Sequence, residues 1–203
     1  MTQKGINLVF YGPEGSGKST QADLLSKKYN IPHLVSGDLV RKYSKEDKGI
    51  IGNVCKEALH EGKYVADSEM YVMWKQRLKE GDAKGGWALD GFPRNLTQAE
   101  FLRRKVEKYG QEVEAVFFIE VSEEESMKRL LKRARKSPDG SLHDSPERIK
   151  ERLRHYRKGR RAVLENYKKR GILRKIDGER SIESIHKEIV GIVEEIKKKN
   201  GSK

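Results

Sequence analysis

Short apolar runs alternate with longer segments of helical character along the chain. The apolar runs, which lack a regular alternation of polar and apolar residues, cover positions 6–11, 33–35, 87–89, 115–121 and 172–176. Such runs are typical of strands that are buried on both faces of a parallel sheet. The segments between them predict helices over positions 18–29, 38–43, 50–61, 68–80, 97–109, 123–136, 146–170 and 181–199. This order predicts an α/β fold with a doubly wound, five-stranded parallel sheet.

The first apolar run ends in a glycine-rich turn. Gly12, Gly17, Lys18 and Ser19 match G-x-x-x-x-G-K-[ST], and a predicted strand before and a predicted helix after provide the context that this motif requires. Glycines allow backbone N–H groups to approach phosphate oxygens, and the helix N-terminus adds its dipole. Lys18 supplies a positive charge for the β and γ phosphates, and the hydroxyl of Ser19 or Thr20 can join a magnesium shell. The turn therefore predicts a site for a nucleoside triphosphate.

The length and composition of the chain restrict the class of protein. With 203 residues, 35% hydrophobic and 37% charged, the chain is long enough for one α/β domain and too apolar for disorder. It has no basic-then-apolar leader and no run of about 18 apolar residues, so we expect a cytoplasmic protein without a membrane span. The single cysteine, Cys55, excludes an internal disulfide and a multi-cysteine zinc site, and we expect it to be buried in the core.

Positive charge is concentrated in one part of the chain. The formal net charge is +13, and residues 128–175 carry 19 Lys and Arg against 5 Asp and Glu. Such a surplus indicates an anionic partner or a solvated basic face, and it suits a nucleotide-gated RNA-binding protein as one alternative function. However, Tyr156 and Tyr167 are the only aromatic residues in this block, whereas a base-stacking platform needs aromatic residues interleaved with basic ones. The sequence therefore argues against a nucleic acid partner.

Two further stretches resemble the nucleoside monophosphate kinases, and most closely the adenylate kinases. LVSGDLVRKY (34–43) matches the family's [ST]-G-D-[LM]-[LV]-R element, and WALDGFPRNLTQAEFL (87–102) contains its D-G-F-P-R-x-x-x-Q element. The resemblance extends from residue 6 to residue 185, nearly the whole chain. It implies ATP and AMP as substrates, Mg²⁺ as the cofactor, and the reversible reaction MgATP + AMP ⇌ 2 ADP without a covalent intermediate.

The chemistry of these stretches agrees with the resemblance. Asp90 follows an apolar strand, where a carboxylate can order magnesium or its water ligands. Arg94 follows a rigid turn that ends in Pro93, and this turn is expected to fix its guanidinium for a bidentate contact with a monophosphate. Arg41, about one helical turn beyond Asp38, is expected to contact the same phosphate from the opposite side.

The resemblance also assigns residues to each nucleotide and to the metal. Ser36 and Gln98 approach the acceptor base, and the Gln98 carboxamide can pair with the adenine edge. The AMP site comprises Ser36, Arg41, Lys63, Tyr64, Val65, Gly91, Phe92, Pro93, Arg94, Gln98 and Arg152. The ATP site comprises Gly12, Gly15, Ser16, Gly17, Lys18, Ser19, Thr20, Arg129, Arg133 and Arg180. The candidate magnesium ligands, partly through water, are Ser19, Thr20 and Asp90.

Part of the basic block resembles the family's lid. Arg129 and Arg133 share one face of a predicted helix because they are four residues apart, and Arg148 and Arg152 repeat this spacing on the next helix. In the family, arginines at positions 129, 133 and 152 neutralise the transferring phosphoryl group, and together with Lys18 and Arg94 they form the predicted catalytic set. The implied organisation is a single domain with a core (1–35, 66–134 and 146–203), a monophosphate-binding insertion (36–65) and a short lid (135–145).

The glycine-rich turn departs from the family pattern at two positions. Ser19 replaces a glycine and Thr20 lies at the family's own hydroxyl position, so the sequence leaves open which hydroxyl contacts magnesium. Glu14 replaces a proline or alanine and places a carboxylate beside the phosphates or in solvent.

The predicted lid lacks an arginine of the family, because Ser141 lies where the family has one. Arg135, Arg160 and Arg161 are the candidate replacements. On a regular helix Arg135 points away from the face that Arg129 and Arg133 share. On the next helix, Arg160 lies on the same side as Arg152 but about 12 Å further along the axis, and Arg161 faces the opposite side. We therefore expect no full replacement of the missing arginine.

The sequence leaves one alternative to AMP as the acceptor of the phosphoryl group, a pyrimidine monophosphate. Asn95 directly after F-P-R also occurs in UMP/CMP kinases, whereas Gln98 and the Ser36 hydroxyl favour AMP. The sequence favours AMP as the acceptor and a monomer over an oligomer.

Overall fold

The structure is a computed structural model that describes residues 5–135, 140, 142 and 144–201. Within these residues the strands form one parallel sheet. The strand order is β2-β3-β1-β4-β5, and all neighbouring strands are parallel. The strands are β1 (Ile6–Tyr11), β2 (His33–Val35), β3 (Gly86–Asp90), β4 (Ala115–Glu120) and β5 (Leu173–Asp177). The predicted fold class is confirmed.

A helix is present at each of the predicted places. The helices are α1 (Lys18–Tyr29), α2 (Ser36–Glu46), α3 (Ile50–Glu61), α4 (Asp67–Arg77), α5 (Leu96–Glu107), α6 (Glu123–Arg133), α7 (Pro146–Lys169) and α8 (Ile182–Gly201). The predictions for α1 and α3 have the observed bounds, whereas α2 is longer than predicted and α4 and α6 end three residues early. A short 3₁₀ helix at Gly81–Gly85 was not predicted.

The sheet is buried on both faces, as its apolar strands predict. Along β1, Leu8 and Phe10 pack into a cluster with α1 and α8, while Val9 and Tyr11 pack into the opposite cluster with α4, α5 and α7. Burial of each large apolar side chain contributes roughly 1.5–3 kcal/mol to the stability of the fold. Cys55 is 0% exposed and belongs to the second cluster, which confirms its predicted place in the core. In the described ranges, every helix is too short or too polar to cross a membrane.

The topology brings three loops to one edge of the sheet. Because all strands are parallel, the turn after β1, the start of α2 after β2 and the turn after β3 lie at the carboxyl ends of neighbouring strands. The strand order reverses direction at β1, whose neighbours are β3 and β4. Ligands of doubly wound sheets bind at the carboxyl edge beside such a switch point.

Candidate active site

A cleft of about 1020 Å³ lies at this carboxyl edge. It is lined by residues from the glycine-rich turn, α2, the segment before α4, the turn after β3, α5, α6, α7 and the loop after β5. All the residues that the sequence analysis assigned to ATP, AMP and the metal line this one cleft. Their individual roles stay predictions.

The glycine-rich turn requires glycine at Gly12 and Gly15 for two reasons. Their φ angles are 152° and 84°, and a Cβ atom would lie 2.5 Å from the Ile119 carbonyl oxygen at the first position and 2.8 Å from the Ser126 carbonyl oxygen at the second. At Gly17, which caps α1 with φ 88°, the conformation alone favours glycine. The turn therefore packs against β4 and α6 while its residues and the start of α1 border the cleft.

Lys18 folds back over this turn. Its Nζ donates a hydrogen bond to the Pro13 carbonyl oxygen at 3.1 Å, and its side chain is half-buried. A lysine charge beside a glycine-rich turn at a helix N-terminus is suited to phosphate oxygens.

Asp90 and Ser19 form the part of the cleft that suits a hard cation. The Ser19 hydroxyl donates to Asp90 Oδ2, whereas Asp90 Oδ1 is buried without a partner among the described residues. Ser19 therefore approaches the carboxylate, and this geometry favours it over Thr20 as the hydroxyl beside the metal. Sequence reasoning missed His33, whose Nε2 lies 4.0 Å from Asp90 Oδ2. Burial lowers the pKa of His33, although the Asp90 carboxylate acts in the opposite direction.

Arg94 is held by the turn after β3 and by an aromatic ring. Its Nε donates to the Gly91 carbonyl oxygen at 3.0 Å, and its Cζ lies 3.7 Å from the centroid of the Tyr64 ring. Helix α7 packs closely on the Arg94 backbone, since a Cβ at Gly159 would lie 2.6 Å from the Arg94 carbonyl oxygen. The Gly91 carbonyl oxygen and the Tyr64 ring therefore hold the guanidinium, and its contact with a monophosphate stays a prediction.

Glu14 faces the cleft and links three elements. Its Oε1 accepts from the Tyr64 hydroxyl at 2.9 Å and its Oε2 lies 2.5 Å from Arg152 Nη1. Burial favours the neutral acid, but Arg152, Lys18 and Arg94 outweigh it and hold the pKa of the Glu14 carboxyl below its usual value. The carboxylate is thus ionised among cations that suit phosphate groups.

The arginines of α6 and α7 are also paired with acids. Arg133 makes two hydrogen bonds to Asp144, at 2.8 and 2.9 Å, and Arg152 donates to the same carboxylate at 2.9 Å. Arg129 pairs with Glu125 at 2.7 Å and donates to the Gly178 carbonyl oxygen at 3.0 Å. Burial opposes the charge of Asp144, but its arginine partners lower the pKa of this carboxyl far below its usual value. Nothing in the sequence distinguished Asp144 as their partner.

Arg135 lies in the cleft, so its predicted orientation is wrong. Helix α6 ends at Arg133 because Ala134 adopts a left-handed conformation with φ 47°, and the Arg135 N–H then donates to Asp144 Oδ2 at 3.1 Å. Burial and the nearby Arg133 lower the pKa of Arg135. Among the described residues, no carboxylate forms an ion pair with its guanidinium.

The other candidate replacements for the missing lid arginine lie elsewhere. Arg160 is near the Tyr156 ring, 5.9 Å from its centroid, and Arg161 is 90% exposed and pairs with Glu165. Ser141 itself lies outside the described residues.

The residues assigned to the acceptor base are buried at one end of the cleft. Ser36 is 1% exposed and its hydroxyl has no partner among the described residues, while Gln98 is 4% exposed. Asn95 caps α5, with its Oδ1 accepting from the Gln98 N–H at 2.8 Å. This cap accounts for Asn95 without a pyrimidine substrate.

Arg41 and Arg180 border the cleft but pair with acids at its rim. Arg41 lies 2.5 Å from Asp38, and Arg180 pairs with Glu188 and lies 3.7 Å from Asp177. These pairs are exposed, so their free energies are small and a nucleotide can replace the acidic partner.

Comparison with known proteins identifies relatives over almost the whole chain. The family model described as adenylate kinase matches residues 10–172. The chain is 34% identical to the adenylate kinase of Archaeoglobus fulgidus, over 95% of this chain and 100% of the relative. It is 39% identical to that of Leptospira biflexa, over 88% of this chain and 94% of the relative, and 32% identical to that of Staphylococcus epidermidis, over 94% and 100%.

Proposed function

Since the chain belongs to the adenylate kinase family and is a nucleoside monophosphate kinase, we propose that its cleft carries out MgATP + AMP ⇌ 2 ADP with the residues described above. The observation that carries the proposal is the shared cleft, in which the glycine-rich turn and Arg94 lie on a single continuous surface. A donor triphosphate on the turn and an acceptor phosphate on Arg94 can then meet without a covalent intermediate on the protein.

Each half of the cleft has its own anion-binding groups. The backbone of residues 12–17, the start of α1 and Lys18 bind the β and γ phosphates of ATP. Arg94 and Arg41 bind the phosphate of AMP, with the Arg94 guanidinium held in place by Gly91 and Tyr64.

The transferring phosphoryl group lies between these halves and is stabilised by charge. Its transition state is loose, so positioning and electrostatic stabilisation supply the acceleration. Arg129, Arg133 and Arg152 provide this charge, and we add Arg135 because it borders the same cleft and its guanidinium forms no ion pair with a carboxylate of the described residues. Glu14 and Asp144 hold the guanidinium of Arg152, and Asp144 also holds that of Arg133, before substrate binds.

Magnesium fits the donor set of Asp90 and Ser19. The described residues contain no cluster of three or more His, Cys, Asp or Glu side chains that could hold a metal alone. A single buried carboxylate with an unpartnered oxygen suits Mg²⁺, which keeps most of its water and phosphate ligands. When bound, the ion neutralises charge on the phosphates of ATP.

The proposed organisation of the domain is the one that the family resemblance implies, and residues 136–139, 141 and 143 of its lid lie outside the described residues. We propose residues 36–65 as the monophosphate-binding insertion and 135–145 as a short lid on the core formed by 1–35, 66–134 and 146–203. Contacts from Tyr64 to Glu14 and Arg94 connect the insertion to the core, so closure of the insertion and alignment of Arg94 are coupled.

A coupled assay of ADP formation tests the substrate assignment. With ATP and Mg²⁺ present, we expect AMP to be the preferred acceptor over CMP, UMP and GMP, because Gln98 and Ser36 lie at the base end of the cleft and Asn95 is used as a helix cap. A higher kcat/KM for CMP or UMP than for AMP would show that the enzyme is a pyrimidine monophosphate kinase instead.

Replacement of Arg135 tests its place among the charges of the cleft. We expect Arg135→Ala to lower kcat/KM for both substrates by about 10- to 100-fold, since one guanidinium at the transferring phosphoryl group is lost. Arg135→Lys should recover part of this loss because it restores the charge. Arg161→Ala is the matched control, since this arginine is exposed on α7, and it should leave the kinetics unchanged. Equal kinetics for Arg135→Ala and Arg161→Ala would show that Arg135 does not contribute to catalysis.

A further inference from the structure

The side-chain amide of Gln98 is held at both ends by groups of opposite hydrogen-bonding type. Its Oε1 accepts from the backbone N–H of Arg94 at 2.7 Å, and its Nε2 donates to Asp67 Oδ1 at 2.6 Å. A backbone N–H only donates and a carboxylate only accepts. Turning the amide over would face donor against donor and acceptor against acceptor, so one orientation is fixed.

Asp67 is itself held by a second amide. Its Oδ2 accepts from Asn95 Nδ2 at 2.8 Å, while Asn95 Oδ1 accepts from the Gln98 N–H at 2.8 Å. The three side chains therefore form a closed set of hydrogen bonds between the first turn of α4 and the first turn of α5. Asp67 and Gln98 are 31 positions apart in the chain, and both line the cleft.

The fixed orientation leaves Gln98 with one defined donor and one defined acceptor. A carboxamide has two N–H bonds and an oxygen with two lone pairs, so after these contacts one N–H and one lone pair remain. This pair complements a base edge in which a ring nitrogen accepts next to an exocyclic amine that donates. It mismatches an edge in which a ring N–H lies next to a carbonyl oxygen.

We propose that Asp67 is a positioning residue for base specificity: by fixing the Gln98 amide, it makes the acceptor site select 6-amino over 6-oxo purine monophosphates. The inference rests on the proposed function, in which Gln98 contacts the acceptor base. AMP and IMP are the sharpest pair of substrates, because they differ only in this edge of the ring. Without Asp67, the amide is oriented by the Arg94 N–H alone and turns to meet either edge more readily.

The ratio of kcat/KM for AMP to that for IMP measures the effect of Asp67. In Asp67→Ala we expect this ratio to fall about tenfold or more, through a higher KM for AMP and an unchanged or lower KM for IMP. Loss of stability does not produce this pattern, because it would affect both substrates alike. The matched control is Glu69→Ala, which removes the same charge from the first turn of α4, outside the cleft, and should keep the ratio of the parent enzyme.

Gln98→Leu separates this inference from the proposed function. If Gln98 contacts the base, its leucine variant collapses the AMP:IMP ratio, and Asp67→Ala has little further effect on the ratio in that background. An unchanged ratio in Gln98→Leu would refute the base contact itself. A collapsed ratio in Gln98→Leu with the parental ratio in Asp67→Ala would overturn the role of Asp67 alone. If Asp67→Ala fails to fold, Asp67→Leu keeps a side chain of similar size, removes both acceptor oxygens and provides the same comparison.

Discussion

Lys18→Ala is expected to lower kcat by at least about 100-fold while the enzyme remains folded. The loss corresponds to removal of a preorganised charge from the phosphates in the transition state. The fold should persist because the side chain is half-buried and, among the described residues, makes a single hydrogen bond, to the Pro13 carbonyl oxygen, rather than packing in the core. Steady-state kinetics with saturating ATP and AMP, together with a thermal unfolding curve, measure both effects.

Lys27→Ala is the matched control for the loss of a lysine from α1. Lys27 is exposed, and within the described part of the chain it pairs only with Asp23 on the same helix, so its removal should change kcat less than twofold and stability by about 1 kcal/mol at most. Turnover of Lys18→Ala within about tenfold of the parent enzyme would contradict the assignment of the glycine-rich turn to the transferred phosphates.

Arg94→Ala is expected to cost about 2–5 kcal/mol of transition-state stabilisation, the scale of a lost bidentate charge contact. The guanidinium is preorganised by the Gly91 carbonyl oxygen and the Tyr64 ring, so the whole contact is available to the phosphate of AMP. Arg94→Lys should recover only a small part of the activity, because an ammonium group keeps the charge without the planar fork that stacks on Tyr64.

Whether Arg94→Ala lowers kcat or only raises the KM for AMP decides the role of Arg94. A loss in kcat as well as kcat/KM indicates a contact that strengthens in the transition state. A change confined to the KM for AMP would show that Arg94 only binds the substrate. Arg104→Ala, which removes an exposed arginine from α5, should leave both parameters unchanged.

The sequence was sufficient for the parts of the site that directly follow strands. Gly12, Ser36 and Gly91 each follow a strand that neighbours another in the sheet, and parallel strands end at the same edge. Motifs that directly follow neighbouring strands must therefore meet. The conformation of the glycine-rich turn also follows from the local sequence, since its positive φ angles depend on glycine itself.

Helix ends and their consequences were less accessible from the sequence. The prediction for Arg135 assumed that α6 continues to residue 136, since Ala134 and Arg135 are good helix formers. In the structure α6 stops at Arg133, and the Arg135 N–H bonds to Asp144 instead of to an α6 carbonyl. The left-handed Ala134 ends the helix, and the Arg135 N–H then finds an acceptor nine residues further along the chain.

The sequence by itself determined the class of fold, the phosphate-binding turn and which stretches lie around the cleft, because strand burial and glycine conformations are properties of short segments. The tertiary structure decided which charges and amides pair within the cleft. Glu14 meets Arg152 across 138 positions of the chain, and Asp67 meets Gln98 across 31. Hydrogen bonds and ion pairs act over about 3 Å, so their partners are set by how helices pack on the sheet rather than by spacing along the chain.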